Sequence, residues 1–270
     1  MTLEKKVAEE FLTVGREAAR QAGAWLMESL DRATGIRYKG SGYRNPYSHA
    51  DERAEAIITG VISGAFPGHG FITEERGQRG LPADYTWVID PLDGTVNFLH
   101  GYRHFGVSIA LLHRDSVAVG LVYAPVSGEM FTAVRDGGAY LNGEKILVSR
   151  TDRLDQSLLA VGFPYDRQSA AFERSVRYFL CLLRDSQAMR RHGSTALALA
   201  DVACGRFDGF GVAGNELWDY AAGTLLVTEA GGTVTDFQGG PFRLDRPESG
   251  VLASNGRIHP AIVARFSGAV

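Results

Sequence analysis

The residues best placed to do chemistry are two aspartates three positions apart. Around Trp87 the chain reads WVIDPLDGTVNF, with Asp90 and Asp93 on either side of Pro91-Leu92, at the carboxyl end of a short apolar strand. Carboxylates at this spacing, straddling a proline turn, can point into one small volume, where they repel each other unless cations sit between them. Hard divalent cations, which take oxygen ligands, answer that need. The Leu92 carbonyl offers a further oxygen, and Gly94-Thr95 opens a short helix whose free N–H groups can hold a phosphate. The same residues equally suit an Asx turn with Thr95 capping a helix. Two other acidic places bear on the choice. Glu74-Glu75 ends the run GFIT, and Asp219 stands at the start of the apolar stretch LWDYAAGTLLVTEAGG. Taken singly, the first reads as a solvated acidic turn and the second as a helix N-terminal residue favoured by the dipole.

These side chains need elements to position them. Val7, Phe11, Val14, Ala18, Ala22, Trp25 and Leu26 recur at steps of three and four, which predicts a long helix over 3–30. After a polar loop, Ala54, Ile57, Ile58 and Val61 predict a second helix over 50–65, stopped by Pro67-Gly68. From Phe71 the period drops towards two through FIT, TWVID, GVSIALLH, SVAVGLVYAP and EMFTAVR, an expected antiparallel meander. Beyond Asn142-Gly143, an apolar run SLLAVG and helical segments near 170–184, 194–204, 218–230 and 260–266 predict an α/β arrangement. The expected division is an N-terminal α+β lobe, residues 1–150, with most of the acids, and a C-terminal α/β lobe, residues 151–270, with Asp219. No Pro/Gly/Ser linker separates them near 150–156, so one compact unit is expected.

Composition narrows the function classes. With 45% hydrophobic and 22% charged residues, the chain is neither disordered, coiled coil nor collagen-like. Its 28 Lys and Arg against 31 Asp and Glu give a net charge of −3, too little positive field for direct nucleic-acid binding. Cys181 and Cys204 form no CxxC pair, which suits a reducing compartment and a cytoplasmic location. The charged, amphipathic N-terminus reads as neither signal peptide nor membrane span, and no later stretch is long and apolar enough to make membrane a partner. No P-loop is present.

Taken together, Glu74-Glu75 after a hydrophobic strand, WVIDPLDGTVNF and WDYAAGTLLVTEAGG resemble, in order and spacing, the signatures of the inositol monophosphatase family of magnesium-dependent, lithium-sensitive phosphatases. NPYSHADERAE, GFPYD and RRHGSTALALADVACGRFDGF extend the resemblance over nearly the whole chain. It implies a five-layer αβαβα sandwich of the inositol monophosphatase and fructose-1,6-bisphosphatase type, and a homodimer. It implies two to three Mg²⁺ ions: one on Glu74, Asp90 and the Leu92 carbonyl, a second on Asp90, Asp93 and Asp219, and a weaker third near Glu74. Two cations about 3.5 to 4 Å apart can clamp the attacking and leaving oxygens of an in-line phosphoryl transfer. Thr95, oriented by Asp51, would position and deprotonate the attacking water, while Gly94 and Thr95 N–H groups would hold phosphate oxygens. Gly193, Ser194 and Thr195 match the segment lining the substrate ring, with Ser194 also suited to cap a helix. His100, His104 and His192 lie near these motifs, but hard Mg²⁺ prefers oxygen, so structural or rim roles are expected for them.

One departure bears on the substrate, which the resemblance implies is a small phosphorylated polyol or sugar such as inositol 1-phosphate. Seven residues before the motif aspartate, inositol-specific members carry a glutamate that bonds ring hydroxyls; here the position is Val212. An apolar side chain leaves such a hydroxyl unpaired. Glu216 would compensate if the loop around Gly211 and Gly214 is rearranged. Related family substrates, fructose 1,6-bisphosphate, histidinol phosphate and nucleotide 3′-phosphates, therefore stay open. So does a regulatory role in a transcription complex, known for a bacterial family member.

Overall fold

The computed structural model describes residues 4–30, 32, 35–39, 43–79, 83–244 and 250–267. Residue 3 of the expected first helix, and 33, 34 and 40–42 of the polar loop after it, lie outside these. In chain order, helix α1 (Lys5–Ser29) leads through a small ribbon, β1 (Arg37–Tyr38) and β2 (Pro46–Tyr47), into α2 (His49–Ala65). α1 buries Ala8, Phe11, Leu12, Ala18, Ala19, Ala22 and Leu26, the stripe its periodicity demands. α2 begins at a capping box: the Ser48 hydroxyl accepts the Ala50 N–H, and the Asp51 carboxylate accepts the Ser48 N–H at 2.7 Å.

Eight strands follow: β3 (Gly70–Thr73), β4 (Gly77–Arg79), β5 (Tyr85–Asp93), then after the one-turn helix α3 (Thr95–Leu99), β6 (Gly106–His113), β7 (Ser116–Ala124), β8 (Glu129–Val134), β9 (Gly138–Leu141) and β10 (Glu144–Lys145). They form one sheet in the order β10-β9-β8-β7-β6-β5-β3-β4. The expected antiparallel meander holds from β5 to β10, but β3 lies parallel to β5, with Phe71 opposite Trp87. FIT and TWVID are too short for alternation to show strand direction, and the chain between them returns through β4 at the sheet edge.

The second sheet is built from β11 (Leu158–Val161), β12 (Ala188–Arg190), β13 (Gly209–Val212), β14 (Thr233–Thr235) and β15 (Val251–Ser254), ordered β12-β11-β13-β15-β14. Its helices are α4 (Ala170–Leu183), α5 (Thr195–Ala203), α6 (Leu217–Glu229) and α7 (His259–Ser267). Strands β12 to β15 carry too few alternating residues for a period-two pattern to mark them.

The layers follow from side-chain parity. Trp87 and Ile89 of β5 pack with α1 and α2, whereas Val88 points to the opposite face, into a cluster with Leu199 of α5, Leu226 of α6 and Phe210 of β13. In β11, Ala160 joins that central cluster while Leu159 and Val161 face Tyr178 of α4 and Ile262 of α7. The result is the αβαβα order of layers. Gly223 lets the two central helices touch: a Cβ there would lie 2.5 Å from the Leu199 Cβ. Among the described residues, no helix is long and apolar enough to cross a membrane.

This topology also makes the place where a ligand can sit. β3 and β5 are parallel, as are β12, β11 and β13, so each sheet offers a carboxyl edge from which loops leave together. Such edges are where α/β sheets hold ligands.

Candidate active site

β5 does not end before Asp90, as its apolar run suggests. It continues to Asp93 with a register irregularity between Asp90 and Asp93, so Pro91-Leu92 is a bulge rather than a turn. Proline, having no N–H, is tolerated at such an irregularity. Asp90 shares parity with Val88 and faces α6. The buried Ser108, opposite Asp90 on β6, donates to the Trp218 carbonyl at 3.1 Å and fixes the start of α6, hence Asp219, against this strand. The Asp90 carboxylate accepts the Leu92 N–H at 3.0 Å. Gly94, at φ 100°, is the residue preceding α3, so the cap is glycine and not Thr95. The Thr95 hydroxyl instead lies 3.2 Å from Asp51 Oδ1 and 3.1 Å from the Leu92 carbonyl.

Asp93 is held by the amino end of α5. Both its oxygens are engaged: Oδ2 accepts from the Ser194 hydroxyl at 2.5 Å and the Ala196 N–H at 2.7 Å, Oδ1 from the Thr195 N–H at 3.1 Å. The orphan donors of the helix end and its dipole favour a carboxylate here. The Ser194 hydroxyl also accepts the Leu197 N–H, so the same oxygen serves as cap and as partner of Asp93. Gly193, at φ 81°, precedes it where a Cβ would stand 3.1 Å from Asn97 Oδ1. Asp219 sits in the first turn of α6, and its Oδ2 accepts the Glu216 N–H at 2.8 Å. The helix-end reading of Asp219 is thus correct as well.

Electrostatics gathers these acids. Burial, then the charges of Glu74, Asp93 and Asp219, push the Asp90 carboxyl well above its ordinary value. Burial, then Glu74 and Asp93, do the same to Asp219. Asp93 is pushed up to about 6 by burial, against the pull of its three donors. Asp51 also rises to about 6, again mainly through burial. Four carboxylates from three separate segments, α2, β5 and α6, therefore share one poorly hydrated volume and resist carrying their charges together. Among the described residues no three His, Cys, Asp or Glu stand in a ready metal-holding arrangement, because the oxygens are spent on N–H groups, hydroxyls and a lysine. The donor set itself, all oxygen and all anionic or carbonyl, fits a hard divalent cation.

The inositol monophosphatase family model matches residues 7–270. The chain belongs to the inositol monophosphatase family. It is 42% identical over 252 residues to an inositol-1-monophosphatase of Synechocystis, covering 93% of this chain and 86% of that protein. It is 40% identical over 256 residues to the Nus factor SuhB of Escherichia coli, covering 94% and 95%. Among solved structures, the extragenic suppressor protein suhB of Bartonella henselae superposes with a TM-score of 0.90 at 34% identity, covering 97% of this chain and all of that one. An inositol monophosphatase from Anabaena superposes at 0.85 with 38% identity, covering 96% of each chain.

Within the family frame, several residues escape motif reading. Lys39 donates to Glu74 Oε1 at 2.9 Å and to Glu75 Oε1 at 2.7 Å. Burial works against its charge, but the two carboxylates outweigh that and hold its pKa above the ordinary value. Glu75 is no solvated turn residue: its side chain is 4% exposed, and burial lifts its pKa to about 7. Its N–H donates to Glu55 Oε2 at 2.8 Å, which ties the end of β3 to α2. A lone lysine in a polar loop carries no sequence signal; only the fold brings it to the acids.

His104 and His192 do not join the carboxylates. Their rings meet edge to face at 4.9 Å, and the Asn97 amide donates to both their backbone carbonyls. Burial pushes His104 down to about 4, so it stays neutral at ordinary pH. His100 is exposed. Cys181 and Cys204 are free and half-buried, more open than core packing requires. Val212 is 1% exposed within the central cluster, and Glu216 stays exposed at the start of α6. Two surface cavities, of about 670 and about 920 Å³, lie elsewhere, the first beside Arg16 and Asn142, the second beside Leu225 and Phe242.

Proposed function

We propose that this protein is a Mg²⁺-dependent phosphatase of a small phosphate monoester, with inositol 1-phosphate or a related sugar or polyol phosphate as its substrate. The observation that carries the reading is the convergence of Glu74, Asp90, Asp93 and Asp219, which makes each of the buried aspartates costlier to ionise. In this reading Glu74, Asp90 and the Leu92 carbonyl hold one cation, and Asp90, Asp93 and Asp219 hold another. The cations supply charge neutralisation for a phosphoryl group and a lowered pKa for water. The Thr95 hydroxyl, set between Asp51 and the Leu92 carbonyl, orients the attacking water, and Asp51, already lifted to about 6, accepts its proton. Gly94 and Thr95 N–H groups hold phosphate oxygens. Lys39 steadies Glu74 and Glu75 and keeps the acid cluster from unbalanced charge.

The test is phosphate release from inositol 1-phosphate, fructose 1,6-bisphosphate, histidinol phosphate and nucleotide 3′-phosphates, with and without Mg²⁺. Turnover that needs Mg²⁺ on at least one ester supports the reading, and none on any ester sinks it. The relatives named Nus factor SuhB favour a second reading, a protein-binding role in a transcription complex. A stoichiometric transcription-factor partner recovered from lysate, and retained by Asp93→Asn, would support it.

A further inference from the structure

Two distant segments that border the acid cluster meet on one carboxamide. Asn97 lies in α3, two residues after Thr95, and His192 stands just before the amino end of α5, 95 positions further along the chain. The Asn97 Nδ2 donates to the His192 carbonyl at 2.6 Å and to the His104 carbonyl at 2.7 Å. Both partners are carbonyl oxygens, which only accept, so the group facing them is the NH₂. Asn97 is itself held by its backbone, its carbonyl accepting the Tyr102 N–H at 2.8 Å and the His100 N–H at 3.2 Å. The carboxamide thus has a fixed base, and both of its N–H groups are spent on other segments.

Each contact reaches a different part of the site. His104 leads into β6, and its carbonyl stands 3.2 Å from where a Gly94 Cβ would lie, so holding it keeps this backbone against the left-handed Gly94 at the start of α3. His192 leads through Gly193 into Ser194, Thr195 and Ala196, the three donors to Asp93. Residues 192–196 are therefore fastened at one end by Asn97 and at the other by Asp93. The edge-to-face meeting of the His104 and His192 rings follows, since one amide anchors both backbones.

We propose that Asn97 is a positioning residue for the acid cluster: its NH₂ draws the amino end of α5 onto Asp93 and so sets the direction in which that carboxylate offers its oxygens to a divalent cation. The inference rests on the phosphatase reading above and extends it to a residue that acts through the α5 backbone. Contacts behind a ligand hold it in the geometry that the cation demands, and their loss lowers metal affinity by about 10- to 100-fold.

Asn97→Asp is the informative change, because it keeps the shape but turns an oxygen towards two carbonyls that repel it. Asn97→Ala removes the contacts without repulsion and should move both readings below in the same direction by less. In the metal-free protein, amide hydrogen exchange followed by mass spectrometry should be faster by about tenfold or more over residues 192–197 in Asn97→Asp, and unchanged in α1 and β7. Calorimetric titration with Mg²⁺, with no ester present, should give a Kd raised by about tenfold. Glu229→Ala, which loses contacts at the far end of α6, is the stability control and should leave both readings as in the wild type. Exchange over 192–197 that is unchanged, or faster everywhere alike, overturns the inference, and so does local acceleration with a wild-type Mg²⁺ Kd. A wild-type chain that binds no Mg²⁺ overturns the phosphatase reading instead; the exchange, read without metal, still decides whether Asn97 holds α5.

Discussion

Asp93 is the residue on which most of the local structure converges. Three donors from the amino end of α5 close on its carboxylate, so a change there has two separable effects. Asp93→Asn puts an NH₂ where an oxygen accepts, leaving either the Ser194 hydroxyl with Ala196 N–H or the Thr195 N–H facing a donor. We expect a loss of about 1 to 3 kcal/mol of stability from a buried donor left unpaired, read by denaturant unfolding. The same variant should lose Mg²⁺-dependent turnover by at least about a hundredfold, because one charge leaves the second cation site. Unchanged turnover would remove Asp93 from the metal set. Lys39→Met tests the neighbouring pair: without the ammonium, Glu74 and Glu75 face each other uncompensated, and the metal-free protein should melt earlier, with Mg²⁺ restoring the difference.

At the scale of elements, α6 links the acid cluster to the far side of the sheet. Asp219 stands at its first turn, and at its end both Glu229 oxygens accept backbone N–H groups of the β8–β9 turn, from Asp136 and Gly138, at 2.8 Å each. Glu229→Ala should cost about 1 kcal/mol, since the freed N–H groups lie partly in solvent, with a lowered melting temperature as the measure. Gly223→Ala should be worse. Its methyl would meet Leu199, so α5 and α6 must separate, at a cost of about 1 to 3 kcal/mol. As α5 holds Asp93 and α6 holds Asp219, the same change should raise the Mg²⁺ concentration needed for half-maximal rate; an unaltered Mg²⁺ dependence would mean the helices do not set that spacing. The elements themselves were readable where the period is long. α1, α2, α4 and α6 match their apolar spacing within a few residues, whereas β12 to β15, each of three or four residues, are held by neighbours rather than by pattern.

Over the whole molecule, the clustered acids tie stability to pH. Asp51 and Asp93 titrate at about 6 in the fold, above the ordinary 3.8, and Glu75 at about 7. Between the ordinary and raised values the folded chain binds more protons than the unfolded one, so stability falls as pH rises through that window. The metal-free protein should therefore melt higher at about pH 5.5 than at about pH 7.5. Saturating Mg²⁺ should raise the melting temperature more at the higher pH, where more charge needs a counter-ion. Thermal melts in chelator and in Mg²⁺ at both values check this, and a Mg²⁺ increment independent of pH would contradict it.

By itself the sequence marked out which acids are candidates for the chemistry: Glu74, Asp90, Asp93 and Asp219 stand out through the motifs that hold them, and the strand or helix end each carboxylate needs is a local property. The layered order was legible through the family resemblance that the motifs carry, and the apolar periodicity is consistent with it. Only the tertiary structure decided that Pro91-Leu92 is a bulge within β5, that β3 runs parallel to it, and that α5 donates three hydrogen bonds to Asp93 from about a hundred residues away. It also decided that Lys39 pairs with Glu74 and Glu75, and that Ser108 holds the start of α6 beside β5. Their types are common and their spacing unmarked, and what places them is a relation between distant segments that no local pattern encodes.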